Sequence, residues 1–179
     1  MFVGHYAASL AAKKYAPDAS LGWLFIAAQL VDIFFFSFVL MGVERFTIAE
    51  GATATNHFHL DYMPFTHSLL STFLWAALAF GVSRLIWKER KAVAWAMAAV
   101  VASHWFFDLP VHTPDLPLWS DDSTKLGFGL WNYRYIAFGL EVLLLAVGSW
   151  MYLSHRSEIS KRKRNALIGF VIFMLLFHA

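Results

Sequence analysis

Cysteine is absent from the chain, which excludes disulfides, thiolate metal sites and thiol nucleophiles. Charge is scarce: 15% of the 179 residues are Asp, Glu, Lys or Arg, where a soluble domain carries about 25%. No basic residue precedes the first apolar run, as a secretory signal requires; Lys13 and Lys14 follow it instead. There is no internal repeat and no low-complexity segment. What the chain has in excess is hydrocarbon. It is 59% hydrophobic and 18% aromatic, with a mean hydropathy of +0.56, and the apolar residues gather in blocks of membrane-spanning length. The fold expected is all-α, a polytopic transmembrane helical bundle forming a single domain over residues 1–179.

The few charges are sorted by sign. Lys13 and Lys14, then Lys88, Arg90 and Lys91, then Arg156 with Lys161, Arg162, Lys163 and Arg164 lie in three basic regions. Glu44, Glu50 and Asp61, and later Asp115, Asp121 and Asp122, lie in two acidic connections between them. Basic loops stay in the cytoplasm, so the alternation places the acidic connections outside. A four-residue basic run beside a span is a topology signal, and nucleic acid is not an expected partner.

The predicted order is a short helix over residues 2–12, full spans over 21–43, 66–87, 92–109 and about 131–153, and a partial span over 165–179. The first run is too short to cross and suits a helix that dips part-way into the bilayer or lies on it. Thr66 is the predicted N-cap of the second span, which puts His67 in that helix's first turn. The last run is also short, so the chain is expected to continue past Ala179.

Polar residues inside these runs carry the functional reading. His104, Asp108 and His112 stand at steps of four, and such steps stack side chains on one helix face, although Pro110 disturbs the last turn. At about 1.5 Å per residue from the cytoplasmic ends, Asp32 lies about 16 Å deep, His104 and Glu141 about 18 Å, Asp108 about 24 Å and His5 about 14 Å. Ionisable groups from separate segments thus share one layer, with His67 and His112 near its outer edge. Ionisable residues at that depth face a bundle interior and mark a site or a pathway. Imidazoles and carboxylates without thiols suit a divalent metal ion, zinc first, manganese or iron next. Such an ion lowers the pKa of bound water and polarises an ester or phosphoester. His5, Asp32, His67, His104 and Asp108 are the candidate metal ligands. Glu141 is a further ligand or a general base, and His112 a substrate-facing group. A lipid or lipid-linked substrate would enter from the bilayer. His57 and His59 read as solvated loop residues, and His155 and His178 fall outside the layer. The competing readings are a non-catalytic accessory subunit of a larger membrane complex, a haem or pigment binder, and a transport protein.

At these residues the sequence resembles the LexA-binding, inner-membrane-associated hydrolase family, described as membrane-bound metal-dependent hydrolases. The likeness rests on Gly4 and His5, on Asp32, on Thr66, His67, Ser68 and Leu69, and on Ser103 and His104 followed by Asp108. It implies a small helical protein of the bacterial inner membrane with a metal site. Two features depart from the family pattern. Ala28, Gln29, Leu30 and Val31 precede Asp32 where the family carries a second carboxylate, and Met63, Pro64 and Phe65 replace its Arg-Gly before the Thr-His pair.

Overall fold

The computed structural model describes residues 3–155 and 159–178. Arg156, Ala179 and the side chain of His178 lie outside the described residues. Punctuation in the sequence sets most of the helix ends. A 3₁₀ turn, Val3–His5, leads into α1, Tyr6–Tyr15. This helix stops at Tyr15, two residues before Pro17, since Ala16, the residue preceding proline, is biased away from helix. The buried Lys13 ammonium donates to the carbonyls of Pro17 and Ala19 and closes the turn. The next helix, α2, Leu21–Leu40, ends at Gly42. That glycine's φ of +73° suits a left-handed helix terminator, and the Val43 amide reaches back to Phe38 O at 2.8 Å.

The first acidic connection is more ordered than an outer loop. It folds into an antiparallel hairpin of β1, Arg45–Ile48, and β2, Phe58–Tyr62, with an irregularity between Arg45 and Phe46. The N-cap of α3, Leu69–Ile86, is Ser68, whose hydroxyl accepts from Ser71 N at 3.0 Å. The expectation for Thr66 is therefore corrected. Its hydroxyl is engaged elsewhere, the helix starts three residues later, and His67 stands ahead of the first turn. Helix α4, Lys91–Asp108, closes just before Pro110. The second acidic connection holds a two-residue pair, β3, Leu116–Pro117, and β4, Lys125–Leu126. Helices α5, Arg134–Ser154, and α6, Lys161–His178, complete the chain. The helical architecture is as expected, with two small sheets added in the connections.

Helices α2, α3 and α5 are long and apolar enough to cross a membrane. Helix α4 is not in that set, which its place in the bundle permits. It packs against α1, α2 and α3, and ten of its eighteen residues are buried. A helix wrapped by others does not need a greasy face, and small residues let its neighbours come close. Leu24, Ala27, Ala28 and Val31 of α2 meet Val93, Met97, Val100 and Val101 of α4 in the main core. Bulky apolar side chains such as Leu74, Leu85, Leu143 and Trp150 remain outside, more than half exposed.

The N-terminal helix is buried in the bundle between α5 on one side and α2 and α4 on the other, which removes the surface-lying alternative. Gly148 permits this. A Cβ there would lie 2.6 Å from Ala7 O and 2.8 Å from Ala7 Cα, so α5 presses its backbone directly on α1. Gly139, nine residues earlier and on the opposite face of α5, has open space where its Cβ would stand. Gly148→Ala is expected to destabilise the protein by about 1–3 kcal/mol, the cost of overpacking. Gly139→Ala should be neutral or stabilise by up to about 1 kcal/mol, the helix-propensity difference. Thermal unfolding of both in detergent checks this, and equal midpoints would contradict the docking described.

Candidate metal centre

Four chain segments deliver ionisable side chains to one buried point. The 3₁₀ turn supplies His5, and the Gly4 amide before it donates to Glu141 Oε2 at 2.9 Å, so α5 holds that turn in place. The middle of α2 supplies Asp32, the segment entering α3 supplies His67, and the last turn of α4 supplies His104 and Asp108. Past the helix end His112 stays in register, because its amide still bonds Asp108 O at 2.9 Å. His5, His104 and Asp108 are each 1% exposed, and Asp32 is the most open at 21%.

The separations match a coordination sphere. His104 Nε2 lies 3.1 Å from Asp108 Oδ2 and 3.5 Å from Asp32 Oδ1. His67 Nε2 lies 3.5 Å from Asp32 Oδ1 and 4.0 Å from Asp108 Oδ2. His5 Nε2 is 3.2 Å and His112 Nε2 3.7 Å from Asp108 Oδ1. A tetrahedral ion with arms of about 2.1 Å holds its donor atoms about 3.4 Å apart. Two groups of three are compact enough for a single ion, His5 with His104 and Asp108, and Asp32 with His67 and His104.

Each ring's other nitrogen decides what these atoms are. His104 Nδ1 faces the Ala28 carbonyl at 3.1 Å. A carbonyl only accepts, so Nδ1 carries a proton, and Nε2 is the atom turned towards the carboxylates. His112 Nδ1 lies 2.8 Å from Asp115 Oδ1, with Thr113 Oγ1 donating to the other carboxylate oxygen at 2.7 Å. Its Nδ1 carries a proton for the same reason, and burial holds this imidazole below its ordinary pKa range, in the neutral form. His67 is set by a longer chain. Thr66 Oγ1 donates to Glu44 Oε2 at 2.6 Å and so accepts from His67 Nδ1 at 2.8 Å. Three Nε2 atoms therefore point at two carboxylates. Both ring nitrogens of His5 and Nε2 of His104 are buried without a hydrogen-bond partner, although Asp108 oxygens approach within 3.2 Å. A neutral ring held this way turns a lone pair to a carboxylate, a contact that a cation between them would make favourable, and partners on the far ring nitrogen are what metal-ligating histidines carry.

Every residue predicted to ligate metal is in this cluster. Glu141 stands apart from the two ligand groups but lines the same cavity, about 310 Å³ in volume, together with Asp32, His67, Asp108 and His112. Phe35, Phe36, Phe58 and Trp131 form its apolar wall, and Trp131 lies over His112 at 4.2 Å between ring centroids. His57, His59 and His155 are exposed. In the sequence Glu44 and Asp115 mark only the acidic connections, and Thr66 only a cap. The one local signal was adjacency, Thr66 beside His67 and Asp115 three residues past His112. No family model, curated protein or solved structure matches the chain, so the centre is read from its own geometry.

Glu44 is fully buried, and its Oε1 accepts from Phe65 N and Thr66 N at 2.8 and 3.0 Å. Burial pushes its carboxyl above the ordinary range, against the pull of the Thr66 hydrogen bonds. A carboxyl raised by the fold contributes its stability below its unfolded pKa and loses it as pH rises through the folded one. At neutral pH the ionised group is therefore a cost that the fold carries. In Glu44→Gln the amide oxygen would keep the two backbone donors, leaving the NH₂ group to donate to Thr66. Thr66 would then donate to His67 Nδ1 and move that ring's proton onto Nε2. The variant is expected to melt at the same or a higher temperature at pH 7, yet to bind metal about 10–100-fold more weakly. Chelator competition measures the affinity, and wild-type affinity would contradict the relay.

Proposed function

We propose that this protein is a membrane-embedded, metal-dependent hydrolase acting on an ester or phosphoester, carried on a lipid or lipid-like substrate. The observation that supports it most is the set of inward-facing imidazole nitrogens around two buried carboxylates. The donor set, His and Asp without sulfur, suits zinc first and manganese or iron next. Stacked His5 and His104 rings, 3.8 Å apart between centroids, leave no slot for a macrocycle between them and favour a small ion over haem or pigment. The resemblance at His5, Asp32, His67, His104 and Asp108 points the same way.

The ion supplies Lewis acidity and a water of lowered pKa. The chain supplies the rest. The aromatic wall holds the apolar part of the substrate and keeps bulk water out. His112, steadied by Asp115, borders the reacting end. Glu141 takes the proton of the attacking water and returns it to the leaving alkoxide as the ester C–O or P–O bond breaks, so one water is consumed per acid and alcohol released. In the membrane α4 is a fourth span, shielded by its neighbours, and α6 a partial one. The basic connections lie in the cytoplasm of a bacterium whose inner membrane houses the protein, in keeping with their charge.

Elemental analysis of detergent-purified protein, with hydrolysis assays on chromogenic esters and phosphodiesters, tests this. Wild type should carry zinc or a replacing divalent ion, lose hydrolysis to a chelator and regain it on adding zinc. His104→Ala and Asp108→Ala should lose both metal and activity, beyond the 10–100-fold typical of a supporting residue. Metal-free protein, or alanine variants with full activity, would overturn the assignment.

A further inference from the structure

The geometry points to two neighbouring divalent cations in this centre, bridged by the two oxygens of Asp108; this rests on the metal-centre reading above. The two compact ligand groups, His5 with His104 and Asp108, and Asp32 with His67 and His104, both need His104. That ring cannot serve both. Its Nδ1 proton is held by Ala28 O, and its Nε2 offers one lone pair, which binds one ion.

Asp108 resolves the conflict. Its Oδ2 faces His104 and His67, at 3.1 and 4.0 Å, while Oδ1 faces His5 and His112, at 3.2 and 3.7 Å. Each oxygen therefore has its own pair of imidazoles. The first position takes His67, His104, Asp32 Oδ1 and Asp108 Oδ2. The second takes His5, His112 and Asp108 Oδ1, with the remaining coordination left for water or substrate beside Glu141. His5 is the independent pointer to that second ion. It is 1% exposed, neither ring nitrogen has a hydrogen-bond partner, and one ion held by Asp32, His67 and His104 leaves it unused. A carboxylate bridge brings two ions to about 3.5–4 Å, the spacing at which a pair clamps the attacking and leaving oxygens of a displacement.

Manganese(II) is the probe. Purified protein is stripped, reloaded with manganese, freed of excess ion and examined by elemental analysis and electron paramagnetic resonance. Two ions per chain with an exchange-coupled spectrum are expected. His5→Ala and His112→Ala should each hold one ion with an uncoupled six-line spectrum, and His67→Ala should likewise lose the coupling. One ion per chain in wild type, or two ions without coupling, would overturn the paired centre and leave the hydrolase reading standing. No bound ion would overturn both. The wild-type spectrum decides the matter even if a variant fails to fold.

Discussion

The structure depends on an electrostatic conflict set at the middle of the bundle. The Nε2 atoms of His67, His104 and His112 are turned towards the carboxylates of Asp32 and Asp108, and the opposite nitrogen of each ring is committed to Thr66, Ala28 or Asp115. Burying a charge without a partner is among the most expensive arrangements a protein can adopt. A divalent cation held between the rings and the carboxylates would make every one of these contacts favourable. The folded arrangement makes physical sense as a holder for positive charge.

The rest of the fold keeps that holder together. His5 reaches the centre because α1 enters the bundle rather than lying on it, and α1 enters because Gly148 lets α5 approach its backbone. His112 is positioned from below by the α4 terminus and from the side by the loop at Gly127, whose φ is +155°. A Cβ at Gly127 would collide with the carbonyls of His112 and Thr113. The hairpin β1–β2 brings Phe58 and Leu60 over the cavity, and the residue before it, Glu44, fixes the tautomer of His67 through Thr66. The connection that reads as a polar loop is thus part of the centre's support.

Much of this was legible in the sequence, for identifiable reasons. His104 and Asp108 share a helix face, so their spacing alone pairs them. Helix rise converts sequence position into depth, which is why Asp32 on a separate helix and His5 on a short one were placed in the same layer. What escaped notice depends on contacts between distant segments. Glu44 meets Thr66 twenty-two residues away only because a hairpin folds back, and no periodicity announces that. Thr66 has the right chemistry for an N-cap, but Ser68 has it too, and the capping role falls to the residue whose hydroxyl is not already used. Helix α4 falls outside the apolar set because Lys91, Ser103, His104 and Asp108 offset its alanines and valines, and the site it carries is what makes it less greasy than its neighbours.

X-ray absorption at the zinc edge of the zinc-loaded, detergent-purified protein tests the central claim most directly. The account predicts a nitrogen and oxygen shell at about 2.0–2.2 Å without sulfur, together with the outer-shell scattering of several imidazoles. A shell of oxygen alone, without imidazole scattering, would place the ion outside this cluster and contradict it.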